Sequence, residues 1–212
     1  MQPEQLAQKN YYRFCKLEGS EYIATGFALL QILKIIKIFK IETVLEIGLG
    51  IGSISDTVLK RVKKSKLEIR YVGTEANEFC NNALKNNVED YSKLEQYENL
   101  AEISPESKFD LIIIDGQDNS LQEIARRCKS RSIIFIEGDR SPQTMLILSL
   151  FPKARHVNVI SLKKNQTYSH GNTKFFVGGG QLIFTNPNFR MKIYWFREKT
   201  ATYIKRHLRK FL

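Results

Sequence analysis

The sequence has few of the residues that crosslink or restrict a chain. Its 212 residues include only 5 prolines, 3 cysteines and 1 tryptophan. The cysteines, Cys15, Cys80 and Cys128, are odd in number and lack metal-ligand spacing, which argues against a disulfide framework and a structural zinc site. We therefore expect buried free thiols in a reducing compartment.

Long apolar runs and a secretory leader are also missing. The first eight residues are polar, without the basic and apolar regions of a signal peptide. The most apolar early run, residues 23–39, is interrupted by one glutamine and two lysines, so it is too short and too charged to span a bilayer. With 42% hydrophobic and 26% charged residues, the composition predicts a cytoplasmic protein with one globular domain, residues 1–212.

Acidic side chains are scarce, and the resulting excess of basic ones is uneven. The chain has 33 Lys and Arg against 22 Asp and Glu, for a net charge of +11. Residues 190–212 hold eight of the basic residues and one acid, Glu198, which puts +7 there and +4 on the other 189 residues. Because most of the basicity belongs to this tail, the body need not bind a polyanion.

Helical and strand patterns alternate along the first 150 residues. A continuous apolar run at 109–114 fits a strand that is covered on both faces. The order predicts an α/β fold: a doubly wound, mostly parallel seven-stranded sheet with helices on both faces and a closing antiparallel strand pair. A helical cap segment (1–40) and a basic C-terminal helix (188–212) flank it. The predicted elements are helices 22–40, 53–63 and 77–88, and strands 43–47, 69–74, 109–114, 133–136, 156–162 and 181–185.

A glycine-rich turn follows the first strand. Gly48, Gly50 and Gly52 let the chain turn sharply and let a ligand approach the main chain. The next helix directs free N–H groups to the same place, which suits a carboxylate or a phosphate equally. The spacing Gly-x-Gly-x-Gly differs from the dinucleotide fingerprint Gly-x-Gly-x-x-Gly.

Two acidic residues define the charge of the expected ligand. Glu46 lies two positions before the first glycine, where it would repel a pyrophosphate and attract an ammonium group. Glu75 follows the second strand, 23 residues beyond Gly52, near the offset of an acid that accepts ribose hydroxyls. S-adenosylmethionine, with an amino group and a sulfonium, has the required chemistry. A solvated acid at a strand end is the alternative for Glu75.

These motifs, with Phe109-Asp110-Leu111-Ile112-Ile113-Ile114-Asp115-Gly116, resemble the class I S-adenosylmethionine-dependent methyltransferases over residues 20–140. The closest similarity is to small-molecule O-methyltransferases, the catechol type included. The resemblance implies that Glu46 and Gly48 contact the methionine end of the cofactor and that Glu75 binds the ribose. It also implies that Tyr97 or Glu98 flanks the adenine, and that Asp115 lies near the methyl group.

Transfer to a hydroxyl usually needs a base. The candidates are Asp115, Glu137, Asp139 and His170, a loop residue whose reference pKa suits proton transfer, although such a histidine is more often simply exposed. Asp115 could instead cap the following helix. The catechol type binds a divalent cation through this Asp and an Asp-Asn pair after strand five. Glu137-Gly138 stands there in this chain, so one ligand is missing; Asp139 is the alternative ligand, but we predict no metal site.

The basic tail has three open interpretations. Ile204, Leu208 and Phe211 or Leu212 fall on one helical face with Lys and Arg around them. The helix could lie on an anionic membrane, or bind the phosphates of a nucleic acid or of a nucleotide-linked sugar. It could also pack on the rest of the domain with a solvated basic rim.

Three functions follow. The first is O-methylation of a small-molecule hydroxyl, such as a sugar, a glycolipid precursor or a phenol. The second, an RNA methyltransferase, lacks an Asn-Pro-Pro-Tyr turn after the fourth strand, where Asp-Gly-Gln-Asp stands instead, and Asn186-Pro187-Asn188 comes too late for that role. The third is a non-catalytic membrane-associated or scaffold protein with the same fold.

Overall fold

The computed structural model describes residues 2–212, so Met1 of the predicted cap segment 1–40 lies outside the described residues. The helices are α1 (Pro3–Phe14), α2 (Gly26–Phe39), α3 (Ser53–Ser65), α4 (Glu78–Asn87), α5 (Ser141–Leu150) and α6 (Phe189–Leu208). The strands are β1 (Thr43–Ile47), β2 (Arg70–Thr74), β3 (Leu94–Tyr97), β4 (Phe109–Ile114), β5 (Cys128–Glu137), β6 (Arg155–Ile160) and β7 (Gly179–Phe184).

All seven strands described belong to one sheet in the order β3-β2-β1-β4-β5-β7-β6. Strands β1 to β5 pair in parallel, and β7 runs antiparallel between β5 and β6. Ile47 pairs with both Thr74 and Ile114, so the carboxyl ends of β1, β2 and β4 meet at one edge. The predicted α/β fold and its antiparallel strand pair are confirmed.

Strand β4 shows why its sequence has no polar alternation. Leu111 and Ile113 belong to the core on one face of the sheet, whereas Ile112 and Ile114 belong to the core on the other. Successive strand residues point to opposite faces, so the stretch covered on both faces, residues 111–114, is apolar at every position. Asp110, near the start of the strand, is half-buried and accepts hydrogen bonds from Thr43 N–H and Lys129 Nζ.

Two predicted features need correction. The helix expected over 22–40 begins at Gly26, because Thr25 caps it by accepting a 3.2 Å hydrogen bond from Ala28 N–H, and residues 20–22 form a short 3₁₀ helix. The three cysteines are free as expected, but they are half-buried and not fully buried. Helices α1 and α5 add to the elements assigned from sequence. No helix in residues 2–212 is long and apolar enough to cross a membrane.

Asp56 fixes α1 to the rest of the molecule. Its carboxylate is fully buried and accepts hydrogen bonds from Arg13 Nη2 (2.7 Å), Lys60 Nζ (2.8 Å) and the backbone N–H of Glu89 (3.0 Å). One side chain thereby connects α1, α3 and the loop after α4. Because residues 19–23 follow α1 in the chain, this anchor also holds the segment that lies over the carboxyl edge of the sheet.

We expect Asp56→Ala to lower the free energy of unfolding by about 2 kcal/mol, because it removes a buried carboxylate that accepts hydrogen bonds from two cations and a backbone N–H. Urea unfolding monitored by circular dichroism measures the loss. The control is Asp139→Ala, an exposed aspartate that accepts one hydrogen bond from Ser141 and should cost nothing measurable. Equal effects of the two substitutions would contradict the anchoring role of Asp56.

Candidate functional site

Four carboxyl groups gather where β1, β2, β4 and β5 end. Glu46 is the penultimate residue of β1, Glu75 and Asp115 follow β2 and β4, and Glu137 is the last residue of β5. Parallel pairing brings these ends to the same edge of the sheet. The carboxyl edge of an open α/β sheet, where the strand order reverses direction, is where such folds bind ligands.

The glycine turn closes directly against the end of β4. Gly48 has φ +85°, and a β-carbon added to it would lie 2.5 Å from the Cα atom of Gly116. The backbone N–H groups of Asp115 and Gly116 donate to the carbonyl of Ile47 at 2.9 and 2.8 Å. The two main chains are in contact, so no side chain fits at position 48.

Gly50, the next glycine of the turn, faces open space. Its φ is +52°, and a β-carbon there would meet nothing within 4 Å. Its N–H donates to Glu75 Oε2 at 2.7 Å, while Glu75 Oε1 accepts from Asn77 N–H at 2.9 Å. Glu75 therefore ties the turn to the end of β2, and Gly52 then forms the N-cap of α3.

A cavity of about 220 Å³ lies above this turn. Leu49, Gly50 and Ser53 of the turn line it, together with Asn77 and Phe79. From the segment after α1, Gly19, Glu21, Tyr22 and Ile23 also line it. Of the four carboxyl groups only Asp115 lines this cavity, and none lines a larger groove of about 920 Å³ between α1, α2 and residues 161–177.

Glu46 is the most deeply buried acid of the group. It is fully buried, its Oε2 atom accepts a hydrogen bond from the Tyr71 hydroxyl, and its Oε1 atom has no partner among residues 2–212. Burial raises the pKa of Glu46 well above the usual carboxyl range, and the nearby Asp115 and Glu75 raise it further against the opposing Tyr71 hydrogen bond.

Asp115 and Glu137 form a second acidic pair. Burial, and then the charge of Glu137, raise the pKa of Asp115 well above its usual value, and Arg140 opposes both. Burial also raises the pKa of Glu137, opposed by a hydrogen bond from Thr25 N–H and by the charge of Arg140.

Arg140 is the cation that sequence reasoning missed in this group. Its Nη2 atom lies 3.1 Å from Asp115 Oδ1 and 2.7 Å from the Asp115 carbonyl, and its Nε donates to the Glu137 carbonyl at 3.0 Å. The sequence feature that could have identified Arg140 is its position directly after Asp139, just beyond the end of β5. Arg140 contacts the carboxylate of Asp115 alone among the four, so Glu46, Asp115 and Glu137 form an excess of buried acid, and Glu75 beside them is half-buried.

The other sequence-predicted residues lie at different distances from the cavity. Tyr97 ends β3; its carbonyl accepts from Glu75 N–H at 2.9 Å and its ring packs in the core. Glu98 is exposed and its N–H donates to Glu102. His170 is exposed, and its Nε2 atom lies 2.9 Å from Ser20 Oγ, in the segment over the cavity.

Asp139 does not line the cavity. It is exposed and borders a separate cavity of about 370 Å³, together with Arg206 and Arg209 at the end of α6. In residues 2–212 no group of three or more His, Cys, Asp or Glu side chains is arranged to hold a metal ion. The absence of a resident metal stays a prediction.

Sequence reasoning also missed the segment over the cavity. Gly19 packs so closely that a β-carbon there would lie 2.8 Å from the Phe79 ring and 2.9 Å from Ile51. Nothing in the local pattern of residues 19–23 indicates this contact, because α1 determines where the segment lies.

Comparison with solved structures identifies the fold. TomG, an O-methyltransferase from Streptomyces achromogenes involved in tomaymycin synthesis and solved with S-adenosylmethionine, matches with a TM-score of 0.56 at 13% identity over 86% of this chain and 90% of its own. The O-methyltransferase from Bacillus cereus in complex with S-adenosylhomocysteine gives 0.53 at 15% identity over 86% and 90%. Precorrin-6y C5,15-methyltransferase from Geobacter metallireducens gives 0.55 at 16% identity over 79% and 91%.

No protein-family model matches the sequence, and no curated protein matches it. The solved structures therefore show that this chain has the fold of the class I methyltransferases, as the sequence motifs predict. At 13–16% identity they establish the fold and leave the activity to be argued from the site.

We expect Glu46→Gln to make the ligand-free protein less sensitive to alkaline pH. Because the folded chain holds the Glu46 proton to a higher pH than the unfolded chain does, the free energy of unfolding falls as pH rises above about 4.3 towards the raised pKa. Glutamine removes this one contribution, which is at most about 1.4 kcal/mol per pH unit.

Melting temperatures of both proteins between about pH 5 and pH 9 measure the difference. Glu78→Gln, at an exposed position in the first turn of α4, is the matched control and should follow the wild type. Parallel pH profiles for Glu46→Gln and the wild type would show that Glu46 is ionised without cost.

Proposed function

We propose that this chain is an S-adenosylmethionine-dependent methyltransferase that acts on a hydroxyl group of a small molecule. The observation that carries the proposal is the excess of buried acid beside the glycine turn, where Glu46, Asp115 and Glu137 are accompanied by the guanidinium of Arg140. Such a site favours a cationic ligand, because a positive charge relieves the repulsion among groups that burial already disfavours as anions. A dinucleotide would add negative charge.

The residues present fit the cofactor. Glu46 Oε1 is a buried acceptor without a partner, which suits the amino group at the methionine end near Gly48. A carboxylate offers about four lone-pair sites, and Glu75 uses two of them on the backbone, so two remain for ribose hydroxyls. Tyr97, the last residue of β3, or Glu98, which follows it, is the proposed neighbour of the adenine.

The cavity above the turn is small for the whole cofactor. Its volume of about 220 Å³ lies below the range of about 300–1,000 Å³ that is usual for ligand pockets of this kind. Residues 19–23 form the side of the cavity that can move, because they connect helices and do not belong to the sheet. We expect them to shift outward when the cofactor binds.

The cofactor supplies an electrophilic methyl group, and the protein has to align the acceptor and remove its proton. Among the predicted bases, Asp115 lines the cavity, and burial raises its pKa, which makes its carboxylate a better base than an exposed one. Glu137 supports it by raising that pKa, and Arg140 holds it in place.

His170 is the second proposed base, because Ser20 connects it to the segment over the cavity. Asp139 borders a different cavity and is the weakest candidate for the base.

We propose a reaction without a divalent metal, since the Arg140 guanidinium contacts both the Asp115 carboxylate and the Glu137 carbonyl. A cytoplasmic location also remains a prediction.

Titration of S-adenosylhomocysteine by calorimetry tests the cofactor. We expect binding by the wild type and about 100-fold weaker binding by Glu75→Ala, which loses two hydrogen bonds to a charged acceptor. Glu78→Ala, three residues further on and exposed, should bind like the wild type. A well-folded wild type that does not bind would rule out the methyltransferase assignment.

The acceptor step is tested by Asp115→Asn, assayed with hydroxylated sugars and phenols. We expect a loss of about 10²- to 10⁴-fold in turnover, with S-adenosylhomocysteine affinity changed little and the acidic limb of the pH profile, where the base becomes protonated, lost. His170→Gln is the comparison variant. Activity should also survive a chelator of divalent cations, and a requirement for Mg²⁺ would overturn the metal-free reaction.

A further inference from the structure

The inner face of α6 is fixed to the sheet. Met191, Tyr194 and Thr202 are buried, Thr202 Oγ1 donates to the carbonyl of Asn158 at 2.6 Å, and the Trp195 indole donates to the carbonyl of His156 at 2.7 Å. These bonds to β6 define the rotation of the helix, and therefore which residues face outward.

The C-terminal end of α6 is fixed in the same way. Lys205 Nζ donates to the carbonyl of Ile160 at 3.0 Å, and Arg209 Nε donates to that of Ser161 at 2.8 Å. Two of the eight cations of the tail are thereby used to satisfy carbonyl groups at the end of β6. The other six remain on the outside, and their side chains are exposed.

The outer face of α6 is apolar along its centre. Five large side chains there are between 51% and 79% exposed: Phe189, Ile193, Phe196, Tyr203 and Ile204. At 3.6 residues per turn they fall within an arc of about 100°, which also contains the exposed Thr200 and His207. The sequence placed Leu208 and Phe211 on this stripe, but the residues that define it lie earlier in the helix.

Cations border this stripe on both sides. Arg190 and Arg197 follow one side, and Lys192, Lys199 and Arg206 follow the other, with Lys210 just beyond the helix. The only acid of the helix, Glu198, is 13% exposed in its side chain and contacts Arg197 at 3.3 Å. The outer face therefore presents apolar side chains between two basic rows, with no exposed acid.

We propose that this outer face binds the surface of an anionic lipid bilayer, with α6 lying flat in the headgroup region. The apolar stripe would enter the boundary between headgroups and acyl chains, while the flanking Lys and Arg side chains extend to the lipid phosphates. The helix has 20 residues and is about 30 Å long, so the contact extends along its whole length.

The charge pattern disfavours two other occupants. A second copy of this face would bring two sets of exposed cations together without an acid between them. A nucleic acid would satisfy the cations, but it would leave the aliphatic part of the stripe against phosphates and water. Only an anionic bilayer matches both the apolar centre and the basic borders.

Vesicle co-sedimentation of the full chain, without cofactor or acceptor, tests the proposal independently of the methyltransferase assignment. The probes are phosphatidylcholine vesicles with and without about 30 mol% phosphatidylglycerol. We expect binding to the anionic vesicles only, weakened by salt. Binding of S-adenosylhomocysteine is scored separately, so failure of one proposal leaves the other intact.

Two double variants separate the apolar and basic contributions. Ile193→Ser with Phe196→Ser, and Lys192→Gln with Lys199→Gln, should each reduce the partition coefficient about tenfold. All four side chains are exposed, so the fold should persist, and the emission of Trp195, the only tryptophan, reports whether α6 stays packed. Met145→Ser, on α5 and 67% exposed, is the control and should bind like the wild type.

Three results would overturn the proposal: no binding of the wild type to anionic vesicles, equal binding by the Ile193/Phe196 variant, or a dimer in solution that this variant dissociates. Tight binding of a single-stranded RNA that persists in the same variant would overturn it as well, because it would assign the cations to a polyanion.

Discussion

The direct contact between the backbones of Gly48 and Gly116 is the constraint on which the site depends. A β-carbon at either position would lie 2.5 to 2.7 Å from the other residue's Cα atom, so only two glycines allow the ends of β1 and β4 to close together. This closure places Glu46 and Asp115 near each other in a buried edge of the sheet, where burial and then the charge of Asp115 raise the pKa of Glu46. The clustering of these two carboxyl groups therefore follows from the backbone contact between Gly48 and Gly116.

The molecule separates its charges. Buried acids collect at the carboxyl edge of the sheet with one guanidinium among them, whereas the excess of cations lies on the outside of α6. Burial makes the first group costly to ionise and selective for a cationic ligand, while exposure keeps the second group hydrated and available to an anionic surface. Both proposed functions therefore follow from the effect of burial on charged groups, which differs between the edge of the sheet and the surface of α6.

Strands were the elements best predicted. The bounds of β1 and β4 agree residue for residue with the runs 43–47 and 109–114, because strands buried on both faces are largely apolar, with Glu46 and Asp110 the charged exceptions. The bounds of α1 inside the predicted helical cap segment 1–40 were not assigned, and neither was the contact of Gly19 with Phe79, since both depend on partners distant in the chain. Arg140 lay next to a predicted residue, Asp139, yet only the structure shows it against Asp115.

By itself the sequence determined the order of strands and helices, the glycine turn, and the acids that end β1, β2, β4 and β5, because these depend on local periodicity and on the polarity of single positions. It also determined that the tail is basic and amphipathic. Only the tertiary structure decided which acids face the cavity, that Asp139 does not, and which side of α6 remains exposed. A helical pattern defines the two faces of a helix, but the residues that bury one face come from elsewhere in the chain. Here they belong to β6, whose carbonyl groups accept hydrogen bonds from α6.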